Sequence, residues 1–411
     1  MKRTSSSLLV VAMCCGLPSA PSLAANTALQ AFVLTVCGNA TGSLRARCDE
    51  SQNGELSGDS EDSLNPTQSL SYNANAVADT DAKIKALVKK MKDKDTEALF
   101  APDERSITET FRLSGTSFLL QFDGGEVTRR ASANERGFDK SSYGLKVGLD
   151  HRITNDWLAG ILFGYDRYEQ EFDADQAGIN FVPQNNEGES EADNYSLTLF
   201  TSKNYADKYY VEGLLSYIYS DYDFDRNGVF QETNRVVNTV DVNAQGDTEG
   251  QQLALSLGGG MNFYHNAAKL TLYGRFDAQK SWIDDYSEKG NSGLEMTFKD
   301  SENSEITATI GASVSNTFSL SWGILIPQVY AEWQYGLKRD KIKSKSFFND
   351  DVNQIEFETE GDGPDLNSGF LGASVYLGLP NGWMLYAAGN TEISRARTEQ
   401  YRFNAGARVE F

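Results

Sequence analysis

After its first two dozen residues the sequence lacks any apolar run near the roughly 18 residues a membrane-crossing helix needs. A helical membrane protein is therefore excluded. Histidine is scarce, at two residues, so general-base and nucleophilic chemistry has few carriers. Positive charge is in deficit: 37 Lys and Arg face 58 Asp and Glu, a net charge of −21 that argues against a nucleic-acid partner. Cysteine is limited to four residues. What is abundant leans toward β structure: 36 Gly, 22 Phe and 19 Tyr. The mean hydropathy of −0.46 would ordinarily signal a water-soluble protein. A membrane β-barrel escapes that rule, because its lipid-facing residues occupy only alternate positions.

The opening "MKRTSSSLLVVAMCCGLPSAPSLAANT" has a basic start, an apolar stretch and then small residues. It reads as a secretory signal peptide over 1–24, cut after Ala24 or Ala25. Cys14 and Cys15 leave with it, and without a small residue before them they do not fit lipoprotein processing. Cys37 and Cys48 remain, close enough to pair as a disulfide in an oxidising compartment.

From about residue 141 the chain alternates apolar and polar residues in strand-length blocks. "YGLKVGLDHRI" sets Tyr143, Leu145, Val147 and Leu149 on one face, with Lys146, Asp150 and Arg152 on the other. Short connections ("TND", "KNYAD", "HNAA", "SLS", Pro380-Asn381-Gly382) alternate with long polar ones near 171–192, 222–248, 284–303 and 339–364. Short turns at one end and long loops at the other predict an outer-membrane barrel, with periplasmic turns and extracellular loops. Eleven strands can be counted, and an even total requires a twelfth, placed in "ETFRLSGTSFLLQF" (109–122). Trp157, Tyr209, Trp322 and Trp383 follow short turns at one depth, as a periplasmic aromatic girdle would. The opposite faces carry Lys146, Asp150, Glu212, Arg275, Asp277, Glu332, Gln334, Arg402, Arg408 and Glu410, which suits a wet lumen better than a packed core.

These segments, together with "WGILIPQVYAEWQYGL", "VYLGLPNGW" and the terminal "RFNAGARVEF", resemble the autotransporter (type V secretion) β-domain over about 105–411. The resemblance implies a twelve-stranded antiparallel barrel in the bacterial outer membrane. It also implies a helix in the pore before the first strand, an upstream exported passenger, and an assembly machinery that reads the aromatic-ended last strand, here Tyr401, Phe403 and Phe411. The sequence departs from that pattern in having no stacking repeat upstream of the barrel, so no conventional passenger is expected. The N-terminal region, read as periplasmic or lumenal, divides into two. Residues 25–78 carry the cysteines and an acidic, Ser/Gly-rich stretch at 49–64, in part disordered. Residues 79–104 begin with a basic amphipathic helix that has Ile84, Leu87, Val88 and Met91 on one face. That helix is a candidate plug of the pore, or a cap on its periplasmic mouth.

His151 and His265 fall at the periplasmic rim, away from where surface chemistry would act, so no catalytic residue is expected and the chain is not read as an enzyme. No cofactor is expected, with calcium as the single candidate. Asp223, Asp225 and Asn227 in "DFDRNGVFQETN" match the early positions of a calcium loop, with Glu232 two places early and an ordinary acidic turn as the plainer reading. The expected partners are outer-membrane lipid, lipopolysaccharide and the barrel-assembly machinery; a host or surface ligand is left open. The leading functional reading is a translocator-type surface barrel. Its alternatives are a diffusion channel for small solutes and an adhesin acting through acidic outer loops.

Overall fold

The computed structural model describes residues 36–45, 115–132, 136–173, 188–206, 208–231, 239–362, 365–393 and 397–411. Its strands, in chain order, are β1 (Thr116–Arg129), β2 (Phe138–Thr154), β3 (Trp157–Phe172), β4 (Glu189–Tyr205), β5 (Tyr209–Gln231), β6 (Thr239–His265), β7 (Ala268–Ile283), β8 (Tyr286–Ser287), β9 (Met296–Phe298), β10 (Ser301–Asn316), β11 (Phe318–Leu320), β12 (Gly323–Arg339), β13 (Lys343–Phe348), β14 (Phe357–Glu360), β15 (Asn367–Gly378), β16 (Trp383–Glu392) and β17 (Thr398–Glu410). The twelve long strands pair antiparallel in a ring. It closes where β1 meets β17, with Ser117 opposite Glu410 and Arg129 opposite Thr398. Closure leaves no unpaired edge to face lipid, which is what permits a sheet to span a bilayer.

Alternation decides which solvent each side chain meets. Outward positions carry an exposed apolar belt that includes Phe163 at 55%, Leu257 at 52% and Val329 at 59%. In water such a continuous belt would aggregate, whereas in a bilayer it is the lipid-facing wall. Trp157, Tyr209, Trp322 and Trp383 are all exposed at the short-turn end. From Tyr209 to Tyr219, β5 climbs roughly 25 Å once the rise per residue is reduced by strand tilt, the height of a lipid-facing band. At the upper level Tyr165, Tyr195 and Tyr219 stand in register on β3, β4 and β5.

Three sequence expectations need correction. The first strand is Thr116–Arg129 and not 109–122; residues 109–114 lie outside the described residues. The apolar pattern fades at Asp123-Gly124-Gly125 because Gly124 borrows its cover: the ring of Phe403, directly opposite, occupies the space where a Cβ would be, 2.5 Å from its Cζ. The connection expected at 222–248 is mostly strand, since β5 runs to Gln231 and β6 starts at Thr239. Polar residues there, such as Asp221, Asp223 and Asp247, lie on the outward, water-facing side above the bilayer, while Tyr222, Phe224 and Ala244 on the inward side are buried, so pairing is not lost. Finally, the connections at 284–303 and 339–364 are not plain loops, because they contribute β8, β9, β13 and β14 to a second, four-stranded sheet at the outer end.

Candidate functional site: the lumen and its outer mouth

The inward positions of the barrel carry charges of both signs, and several of them are paired. Arg408 on β17 makes a two-pronged contact with Asp150 on β2, at 2.8 and 2.9 Å, reaching across β1. Lys146 lies between Asp123 and Asp166. Arg275 Nε bonds Asp277 at 2.8 Å, and Asp277 also accepts from Ser256 Oγ at 2.6 Å. Tyr273 donates to Glu332 at 2.7 Å, and Tyr386 donates to Gln121 at 2.9 Å. Buried ions persist only when partnered in this way, since each costs several kcal/mol to desolvate. The sequence placed most of these charges on the lumen face, and their pairing is the structural addition.

The wall also contains rings laid against bare backbone. Gly311 on β10 stands opposite Tyr273 on β7, and Gly406 on β17 stands opposite Tyr386 on β16. A Cβ on either glycine would come within 2.4 Å of the tyrosine. Lower on the β1–β6 side, Leu119, Leu158, Leu162, Phe200 and Leu214 form an apolar patch on the lumen face, buried as a protein core is.

Near the outer end the inner wall turns aromatic. Phe138, Tyr168, Phe172, Tyr222 and Phe224 cluster there with Ala192 and Ile283. Rings then step upward: Tyr222 stacks on Phe224, Phe224 meets Tyr286 at 5.1 Å, and Tyr286 stacks on Phe298 at 4.8 Å. Phe298 belongs to the four-stranded sheet, so the column joins wall to cap. Arg226, an inward residue of β5, ties the same loop down through Glu288 at 2.6 and 2.8 Å and the Leu294 carbonyl at 2.8 Å.

Residues 36–45 dock on this cap. Val36, Ala40 and Leu44 share one hydrophobic core with Leu294, Met296, Phe298, Phe348 and Phe357. Ala40 bridges to Asp351, and Thr41 Oγ1 donates to the Asp350 carbonyl at 2.9 Å. The Asp350 carboxylate accepts the Ser43 N–H at 2.9 Å and the Leu44 N–H at 3.4 Å, capping the helical turn at 42–45 from another part of the chain. Under this turn, burial pushes the Glu295 carboxyl up, but the Ser292 N–H, the Ser292 hydroxyl and the Gly293 N–H outweigh it and hold its pKa below the ordinary glutamate value.

The other candidate residues fall as follows. Asp223, Asp225 and Asn227 lie in the extended backbone of β5, not in the tight turn a calcium loop needs, and Glu232 is outside the described residues. Among the described residues no three His, Cys, Asp or Glu converge as a metal site. Cys37 is disulfide-bonded and sits at the edge of the cap core; Cys48 is outside the described residues. Residues 79–104 with the basic amphipathic segment are also outside them. Tyr401, Phe403 and Phe411 are 58%, 64% and 56% exposed on the lipid side of the last strand. His151 is exposed and contacts Thr116 at the short-turn rim, and His265 ends β6 beside a short turn. Sequence reasoning missed the cap sheet and its occupant. The signal was present: "LEMTF" alternates strictly, with Leu294, Met296 and Phe298 on one side, and Val36, Ala40 and Leu44 repeat at one helical spacing.

A closed ring of twelve strands with a lipid-facing belt, a charged lumen and all short turns at one end defines a translocator-type outer-membrane β-barrel. The family model "Autotransporter beta-domain" matches residues 118–390, and the chain belongs to that family. Among solved structures, it is similar to the translocator domain of autotransporter NalP from Neisseria meningitidis, with TM-score 0.57 and 16% identity, covering 81% of this chain and 98% of that one. It is also similar to the transport unit of autotransporter AIDA-I from Escherichia coli, with TM-score 0.50 and 12% identity, covering 75% and 94%. No curated protein sequence matches this one significantly.

Proposed function

We propose that this barrel has its own N-terminal segment as cargo: residues 36–45 reach the outer surface through the lumen, while the segment that follows threads the pore. The carrying observation is one of topology. Arg45 lies at the long-loop end and Gly115, beside Arg152, at the short-turn end. The 69 residues between them (46 to 114) are ample to cross, giving roughly 100 Å even as continuous helix. Lipid admits backbone only as an apolar helix or as part of the barrel wall, and residues 46–114 hold no apolar run near the roughly 18 residues such a helix needs, so the passage left to them is the lumen. The apolar lumen patch around Leu119, Leu158 and Leu214 matches the apolar stripe of Ile84, Leu87, Val88 and Met91.

On this reading the protein is not an enzyme and not an open diffusion channel. It reaches the outer membrane by way of the signal peptide at 1–24 and the assembly machinery, whose handle is the aromatic-ended strand with Tyr401, Phe403 and Phe411. Its acidic outer loops are the surface offered to lipopolysaccharide-bound cations or to a cationic partner. Planar-bilayer recording tests the pore: the intact chain gives no steady current, and deletion of residues 79–100 gives steady open-pore current. Steady current through the intact chain would instead favour the diffusion channel.

A further inference from the structure

We propose that the cap is a built receptor for residues 36–45, which form a latched lid: the exported segment is retained on the outer mouth and not released. This rests on the export reading above and adds what happens afterward. Two independent features point to it, one polar and one steric.

The polar feature is the use of Asp350 as a helix cap for a distant segment. Its carboxylate takes two N–H donors of the turn, while its own backbone carbonyl takes the Thr41 hydroxyl and the Thr41 N–H. Four donors of the lid thus converge on one residue of the outer loop. N–H groups at a helix start have no partner within the helix, so the lid supplies the donors and the loop supplies the acceptors.

The steric feature is a pair of glycines at the contact. Gly293 has φ +83°, and a Cβ there would lie 2.4 Å from the Ser43 carbonyl carbon and 2.6 Å from the Leu44 nitrogen. Gly42 has φ +57°, and a Cβ there would lie 2.8 Å from Asp350 Oδ2. Each side therefore omits a side chain where the other side's backbone or carboxylate presses in. A surface that merely tolerated a passing segment would have no need of such a fit. Beneath the latch the apolar contacts are complete, with Val36 and Leu44 each 1% exposed against Leu294 and Met296, both fully buried. The lid shares its core with Phe298, the last ring of the aromatic column that starts at Tyr222, so it is joined to the inner wall of the outer mouth.

Trypsin added to intact cells reads the latch, because Arg45 is exposed on the lid and cleavage after it shows on reducing gels and by mass. Cleavage through an undocked state follows the population of that state. Wild type is expected to be cut slowly. Gly293→Val, which drives a side chain into the lid, and Leu44→Asp, which acts from the lid itself, are expected to raise the rate by at least about tenfold. Both variants must still show the heat-modifiable band of an assembled barrel. Equal cleavage of wild type and both variants, or equal protection, overturns the latched lid. Cleavage of the variants only after the outer membrane is permeabilised overturns the export reading instead, because the segment then lies inside.

Discussion

The lumen charges are held by specific partners. Arg408 and Asp150 are 6% and 3% exposed and meet in two hydrogen bonds that span three neighbouring strands, β17, β1 and β2. Removing one charge of a buried pair leaves the other uncompensated, at a cost of about 3 kcal/mol or more. Asp150→Asn is therefore expected to lower the temperature at which the folded band converts to the unfolded band on a gel. Asp150→Asn combined with Arg408→Gln should lower it by less than the two single changes added together. Equal, additive losses would mean that the pair does not act as a unit. The contact joins the last strand to the second, so it reports on closure of the barrel as well as on lumen charge.

Among the elements, the barrel strands were legible because alternation is enforced by two different solvents on two faces. Tyr143, Leu145, Val147 and Leu149 meet lipid, so each had to be apolar, and Lys146 and Asp150 meet the lumen. The second half of β1 was less legible, because Gly124 carries its apolar cover on another strand, in the ring of Phe403. The cap was not read at all, although "LEMTF" alternates, because short strands inside a long polar connection do not announce a partner, and its partner is more than 240 residues earlier in the chain. Nothing in the local sequence links Asp350 to Ser43. At this scale the acid sensitivity of the cap can be assigned. Glu295 has its folded pKa held below the usual value, so its contribution to cap stability is complete above the unfolded value, near 4.3, and is lost as pH falls through the folded one. Hydrogen exchange at the Ser292 and Gly293 amides, which donate to Glu295, should show unchanged protection from neutral pH down to about 5 and declining protection below about 4.3. Glu295→Gln should flatten that decline. Protection in the wild type that instead falls between pH 7 and 5 would contradict this assignment.

For the whole molecule, the two ends of one connection decide the account. The cap with its bound segment and the first strand's start lie at opposite ends of a closed barrel, and the residues between them hold no apolar run long enough to cross the lipid outside it as a helix. On the export reading proposed above, the wall, the segment threading the lumen and the surface lid belong to one continuous chain. The measurement that tests this most directly is antibody binding to intact cells that express the protein with an epitope inserted between Gly38 and Asn39, an exposed turn of the docked segment. The account predicts full binding without permeabilisation and no gain after it. Binding that appears only once the outer membrane is opened would contradict it.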